Sequence, residues 1–198
     1  QTRIDAPVVT AGPQQVLGPQ QVCTGQTGSS YTVAPIAGAT FSWNVTGGVI
    51  ASGGTGNTIT VDWGSPGTGT VSVSATNGLG CVSAPLDLNV TIVPLPNADA
   101  GLDSTLCTGG SVILGGNPTG PLGSSFTWSP ATGLTSTTAA NPTASPTATT
   151  TYIVEVSNSG CVNRDTVTVS INVVQADAGV NASLCNGDTL QLNATGGQ

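Results

Sequence analysis

An all-β fold, strung as β-sandwiches in tandem, is the class this sequence predicts, and three observations carry the prediction. The first is repetition. Ala98-Asp99-Ala100-Gly101-Leu102-Asp103-Ser104-Thr105-Leu106-Cys107 returns as Ala176-Asp177-Ala178-Gly179-Val180-Asn181-Ala182-Ser183-Leu184-Cys185, an offset of 185 − 107 = 78 residues. Solenoids and propeller blades repeat at roughly 20–50 residues, so this period suits one complete small β-domain. The second is alternation of apolar and polar residues with a period of two, which marks strands with one buried face. The third is punctuation: Gly and Pro interrupt every stretch of helical length, which leaves short strands and turns.

The elements follow in order. Phe41-Ser42-Trp43-Asn44-Val45, Thr58-Ile59-Thr60-Val61-Asp62-Trp63, Thr70-Val71-Ser72-Val73-Ser74-Ala75 and Leu86–Val93 alternate. Between them lie the turn clusters Gly53–Asn57, Gly64-Ser65-Pro66-Gly67 and Asn77-Gly78-Leu79-Gly80. A second unit follows the same plan. Ser111–Leu114 is a strand, and Ser125-Phe126-Thr127-Trp128 matches the Phe-x-Trp of the first unit. Thr151–Val156 and Asp165–Val173 make a hairpin around Asn158-Ser159-Gly160-Cys161. The run Thr132–Thr151 is rich in Thr, Ala and Pro. It reads either as a mucin-like stalk or as the irregular middle of a sandwich, and the second reading is preferred because a domain-sized unit closes around it.

These signals divide the chain into residues 1–93, 94–174 and 175–198, the last being the start of a third, truncated repeat. The sequence therefore reads as a window from a longer protein. Pro94-Leu95-Pro96-Asn97 is a short, stiff link, and Val174-Gln175 is shorter still, so successive domains are expected nearly end to end. About seven strands per complete unit would make each a two-sheet sandwich.

Charge is scarce. Lys+Arg is 2, Asp+Glu 9 and His 0, for a formal net charge of −7. Phosphate neutralisation draws on Lys and Arg, so no nucleic-acid partner is expected, and an anionic lipid surface is disfavoured for the same reason. No apolar run reaches the roughly 18 residues that span a bilayer, and Gln1 opens no signal peptide. Zero histidine removes the commonest general base and metal ligand. Five cysteines among Thr- and Gly-rich strands point to an oxidising compartment. Zinc is excluded by the absence of CxxC and histidine.

Several residues together resemble PKD-like, immunoglobulin-like repeats, which occur in large surface proteins of gliding and predatory Bacteroidota. The first unit offers Val22-Cys23-x-Gly25, Tyr31-x-Val33, Gly38-Ala39-Thr40-x-Ser42-Trp43-x-Val45-x-Gly47-Gly48, Asn57-Thr58-Ile59-Thr60-Val61-x-Trp63-Gly64 and Gly80-Cys81. The second offers Leu106-Cys107-x-Gly109, Trp128–Leu134, Asn141–Pro146, Thr150-Thr151-Tyr152 and Ser159–Val167. The Trp-Asp-Phe-Gly-Asp-Gly loop of better-known members is replaced by Trp43-Asn44-Val45-Thr46-Gly47-Gly48. The resemblance implies tandem immunoglobulin-like (PKD-like) β-sandwiches, export by the type IX route and display at the bacterial cell surface. It also implies O-glycosylation at Asp-Ser/Thr followed by an aliphatic residue or Thr. Asp103-Ser104-Thr105, Asp165-Thr166-Val167 and Asp188-Thr189-Leu190 fit, which makes Ser104, Thr166 and Thr189 candidate acceptors.

Trp43 and Trp128 occupy matching places and are expected to fill the two cores. Trp63, one residue before a glycine turn, is expected half exposed and is the more open place for a sugar ring to stack. Asp99, Asp103 and Asp177 stand at the junctions, where calcium could bind, but each junction supplies one or two carboxylates where calcium wants six to eight oxygens. Turn and cap roles are preferred, with no cofactor. The acids are scattered and the serines have no histidine to activate them, so the chain is not expected to be an enzyme. The preferred function is a structural or adhesive segment of an extracellular fibre. Its partners are neighbouring repeats, further copies in a homo-oligomeric filament, and an unidentified surface or glycan target. The alternative is a carbohydrate-binding array accompanying a secreted glycan-degrading enzyme.

The cysteines complete the reading. Cys23 and Cys107 each precede a strand and fall near one pole of a sandwich. Cys81 and Cys161 sit in the last hairpin, at the opposite pole. Strands of five to ten residues at roughly 3.3 Å each separate the poles by about 20–30 Å, whereas a disulfide needs Cα atoms within about 7 Å. A Cys23–Cys161 bond across the first junction is therefore expected, with Cys81, Cys107 and Cys185 pairing outside the two complete domains. Cys23–Cys81 and Cys107–Cys161 remain the competing pattern, because a long first strand would shift Cys23 and Cys107 along the sheet.

Overall fold

The computed structural model describes residues 12–173, 183–187, 189 and 191. The chain divides into two units, Gln1–Leu95 with Ser159–Cys161, and Pro96–Asn158 with Val162–Gln198. The first change of unit thus falls inside the Pro94–Asn97 link. The proposed third repeat, 175–198, lies almost entirely outside the described residues.

Among the described residues the first unit has seven strands: β1 (Gln21–Cys23), β2 (Ser29–Thr32), β3 (Thr40–Thr46), β4 (Gly48–Gly53), β5 (Thr58–Trp63), β6 (Gly67–Thr76) and β7 (Leu86–Val93). They form a four-stranded sheet in the order β1-β7-β6-β3 and a three-stranded sheet in the order β2-β5-β4. Alternation decides which side chains go inward. Gly69, Val71, Val73 and Ala75 of β6 are buried, with Thr and Ser between them turned toward solvent. Val90 and Ile92 of β7 and Ile59, Val61 and Trp63 of β5 do the same, and they meet Tyr31, Phe41 and Trp43 in one core. Each large apolar side chain buried in this way contributes roughly 1.5–3 kcal/mol.

Among the described residues the second unit has six strands: β8 (Ser104–Cys107), β9 (Val112–Ile113), β10 (Ser125–Ser129), β11 (Thr143–Ala144), β12 (Thr150–Asn158) and β13 (Cys161–Asn172). One sheet runs β10-β12-β13-β8, and β11 pairs with β9. Its core gathers Leu114, Trp128, Ala144, Tyr152, Val154, Val156, Val167 and Val169.

The Thr-rich run is the irregular middle of this sandwich. Its backbone is tied in repeatedly: Trp128 N donates to Thr137 O (2.7 Å), Thr135 N to Thr143 O (3.0 Å) and Ser145 N to Gly133 O (2.8 Å). Asn141 adds side-chain bonds to the carbonyls of Leu114 and Gly116 and to Thr119 Oγ1. A stalk would leave these groups to water. Here they replace the ladder bonds of a missing strand, so buried backbone polar groups stay paired.

Candidate functional site: a disulfide-closed strand end

Strand β1 is three residues long and follows a Gly-Pro pair, so local propensity alone does not explain it. It forms because β7 offers an open edge. The two pair in parallel, Gln21 with Thr91, Val22 with Ile92 and Cys23 with Val93. Thr91 N donates to Gln20 O and Thr24 N to Val93 O, each at 2.8 Å. Beyond Cys23 the chain turns at Gly25, whose φ of +73° suits glycine. Gln26 N closes that turn on Cys23 O (3.0 Å), and Cys23 N donates back to Gln26 Oε1 (3.1 Å).

Cys161 is delivered by the hairpin between β12 and β13. Ser159 and Gly160 both have positive φ, 51° and 78°, the pattern of a two-residue turn matched to strand twist. This tip groups with the first unit. Gln21 Nε2 donates to Ser159 O at 2.7 Å. Cys23 and Cys161 are disulfide-bonded, with Cα atoms 5.7 Å apart and a sequence separation of 138. Cys23 Sγ also lies 3.8 Å from Gly160 O; a bonded sulfur has no proton to donate, so this is a packing contact. Cys161 is buried. Cys81, Cys107 and Cys185 are exposed and outside this bond.

The aromatic residues do not build a binding face. Trp43 and Trp128 are buried, and their indole N–H groups donate to Gly56 O and Ala139 O, each at 2.9 Å. The expectation of a half-exposed Trp63 is corrected: it is 3% exposed. It packs edge-on to Tyr31, with ring centroids 5.9 Å apart. Alternation along β5 puts Trp63 on the face of Ile59 and Val61, and Gly48 and Gly69 leave room for its ring. Tyr31 and Tyr152 are buried, and burial raises both phenol pKa values. Phe41 is buried and Phe126 half-buried, so all seven aromatic side chains point inward.

The acidic residues serve the backbone. Asp99 Oδ1 accepts from Gly101 N (2.9 Å), Asp103 Oδ1 from Thr168 N (2.7 Å) and Asp165 Oδ2 from Ala100 N (2.8 Å). Asp177 lies outside the described residues. Among the described residues, no three His, Cys, Asp or Glu side chains come close enough to hold a metal. Glu155 and Arg164 form an exposed ion pair across β12 and β13, with Oε2 2.6 Å from Nη2. Of the candidate glycan acceptors, Ser104 has its hydroxyl closed to solvent and without a hydrogen-bond partner among the described residues. Thr166 and Thr189 are exposed. The sequence did not single out Gln21, because the strand that carries it is ordered only by pairing with β7.

No curated protein matches the chain. Several solved structures are similar at low scores. An I-band fragment of titin is 11% identical with a TM-score of 0.35, over 80% of this chain and 66% of that one. Extracellular domains 3–5 of Drosophila OTK are 14% identical with a TM-score of 0.35, over 81% and 63%. The chain therefore spans slightly less than two thirds of each of these fragments. The PKD domain of a peptidase from a Thermoplasmatales archaeon is 22% identical with a TM-score of 0.30, over 40% of this chain and 91% of that domain. The fold is tandem immunoglobulin-like β-sandwiches, and residues 8–90, most of the first of them, match the family model of the PKD-like domain.

Proposed function

We propose that this chain is a tension-bearing segment of an extracellular fibre or adhesin on a bacterial surface, exported by the type IX route that the sequence resemblance implies. The observation that carries the reading is the 138-residue disulfide loop. Tension applied to the chain before Cys23 and after Cys161 follows the shortest covalent path. That path crosses the sulfur bridge and leaves residues 24–160 outside the load. The strands between Cys23 and Cys161 can then open without lengthening the chain, which a force-bearing fibre needs and an enzyme or soluble binding module does not. A disulfide also requires an oxidising compartment to persist. Low surface charge favours lateral association of copies into a filament, because little repulsion keeps them apart.

Immunogold labelling of intact cells with antibodies against this chain tests the placement. Label along surface filaments is expected, and label confined to the cell interior would overturn it. A glycan array tests the alternative of a carbohydrate-binding module. Sugar binding through stacking needs exposed aromatic faces, and all seven aromatics here are turned inward. Specific, saturable capture of one glycan class would replace the structural reading.

A further inference from the structure

The two cysteines of the disulfide stand in different surroundings. Side chains alternate along β1, and Val22, 2% exposed, goes into the core of the first unit. Cys23, the next residue, is turned away from that core and is half-buried. Cys161 opens β13 and is 1% exposed. Both backbones are also held without the help of the sulfurs. Thr24 donates to Val93 O through its N–H at 2.8 Å and its hydroxyl at 3.1 Å, and Gln26 closes the turn after Cys23. On the other side Asn158 Nδ2 donates to Leu122 O (3.2 Å) and Ser124 Oγ (3.1 Å), and Asn163 Nδ2 to Pro96 O (3.0 Å). Gln21 Nε2 holds the tip through Ser159 O. Breaking the S–S bond therefore leaves its two sulfurs beside one another.

We infer that Cys23 Sγ is the sulfur at which a small thiol opens this bond, so that Cys23 is a site of reversible S-thiolation and Cys161 the resolving cysteine. The chemistry is thiol–disulfide exchange. A small thiolate attacks Cys23 Sγ and forms a new S–S bond to it. The Cys23–Cys161 bond breaks, and its electron pair leaves on Cys161 Sγ, which takes up a proton from water. The sulfur of the small thiol is oxidised and that of Cys161 is reduced. Attack at the other end would bring a hydrated anion onto a sulfur that water hardly reaches. Leaving-group chemistry favours that other end, since Cys23 would carry the departing charge nearer to water. Access decides, because a sulfur that is not reached is not attacked. A thiolate at Cys161 is poorly solvated and lies beside the adduct. It attacks Cys23 Sγ in turn, at the high effective concentration of a held neighbour, and the small thiol departs. The bond thus has one door, and it closes again unless thiol is in excess. This inference stands on the disulfide alone and holds whether or not the chain belongs to a fibre.

The test uses the intact chain. Exposed thiols are first alkylated under native conditions. Excess glutathione is then added, and samples are quenched in acid over time, which stops exchange. Pepsin digestion in the same acid, followed by mass spectrometry, locates the adduct. Glutathione is expected on the Val22-Cys23 peptide with Cys161 as a thiol, at least about tenfold over the reverse, while the emission of the buried Trp43, Trp63 and Trp128 is unchanged. Sulfite, whose S-sulfonate product survives acid, repeats the measurement where the glutathione adduct has already reclosed. Label found mainly on Cys161, or equally on both cysteines, overturns the inference. So does a bond that opens only at the rate at which tryptophan emission reports unfolding.

Discussion

Reducing the Cys23–Cys161 bond removes a cross-link and leaves every other atom in place, which makes it the cleanest perturbation of this fold. Chain-entropy bookkeeping for a 138-residue separation gives about 17 cal/mol/K, or about 5 kcal/mol at 25 °C, as the destabilisation of the unfolded chain lost on reduction. Native disulfides typically yield about 2–5 kcal/mol, so a loss within that range is expected. Reduction is preferable to Cys161→Ser, because Cys161 is buried and an unpartnered hydroxyl there adds its own cost of roughly 1–3 kcal/mol. The assay is guanidinium unfolding followed by tryptophan fluorescence. Trp43 and Trp63 report the first unit and Trp128 the second. Two signatures are expected together. The midpoint falls, and the slope of free energy on denaturant steepens, because a chain without the cross-link exposes more surface when unfolded. Oxidised and reduced protein with the same midpoint and the same slope would refute the reasoning.

Two further outcomes follow from the cores. Gly69→Ala places a Cβ 2.5 Å from Trp63 Cζ3 and 2.7 Å from Thr46 O, so it is expected to cost about 1–3 kcal/mol in thermal unfolding, whereas Gly56→Ala, which meets nothing within 4 Å, changes stability by less than about 0.5 kcal/mol; equal effects would contradict the packing described. Burial raises the phenol pKa of Tyr31 and Tyr152 above 10.0, so the fold holds their protons more tightly than the unfolded chain does; that contribution is intact below pH 10.0 and is lost as pH rises through the folded values. Tyrosinate absorbance is expected to appear late and together with unfolding, and a simple titration at the unperturbed value with the fold intact would contradict it.

Much of this architecture could be read from particular residues. Ile59, Val61 and Trp63, or Val71, Val73 and Ala75, announce strands and the faces they bury, because a period of two leaves little freedom. Trp63 shows the limit of local reasoning: the glycine turn beside it suggested exposure, while its phase along β5 had already placed it inward. β1 and β8 carry no strand signal of their own, since their order comes from the open edges of β7 and β13, which are distant in sequence. β4 escaped notice because Gly-Val-Ile-Ala-Ser-Gly breaks alternation, and the structure shows the corresponding register shift between Ile50 and Ser52. The Cys23–Cys161 bond was accessible through the distance between the poles of a sandwich. The closed hydroxyl of Ser104 was not, because its burial depends on the β8–β13 pairing.

The central claim, that the disulfide takes most of the chain out of the load path, is tested most directly by stretching single molecules from their two ends with and without reductant. Without reductant, the stretch from Cys23 to Cys161, a sequence separation of 138, adds nothing to the extension; with reductant it adds about 450–500 Å of contour length at roughly 3.3–3.6 Å per residue. The same final extension in both conditions would contradict the account.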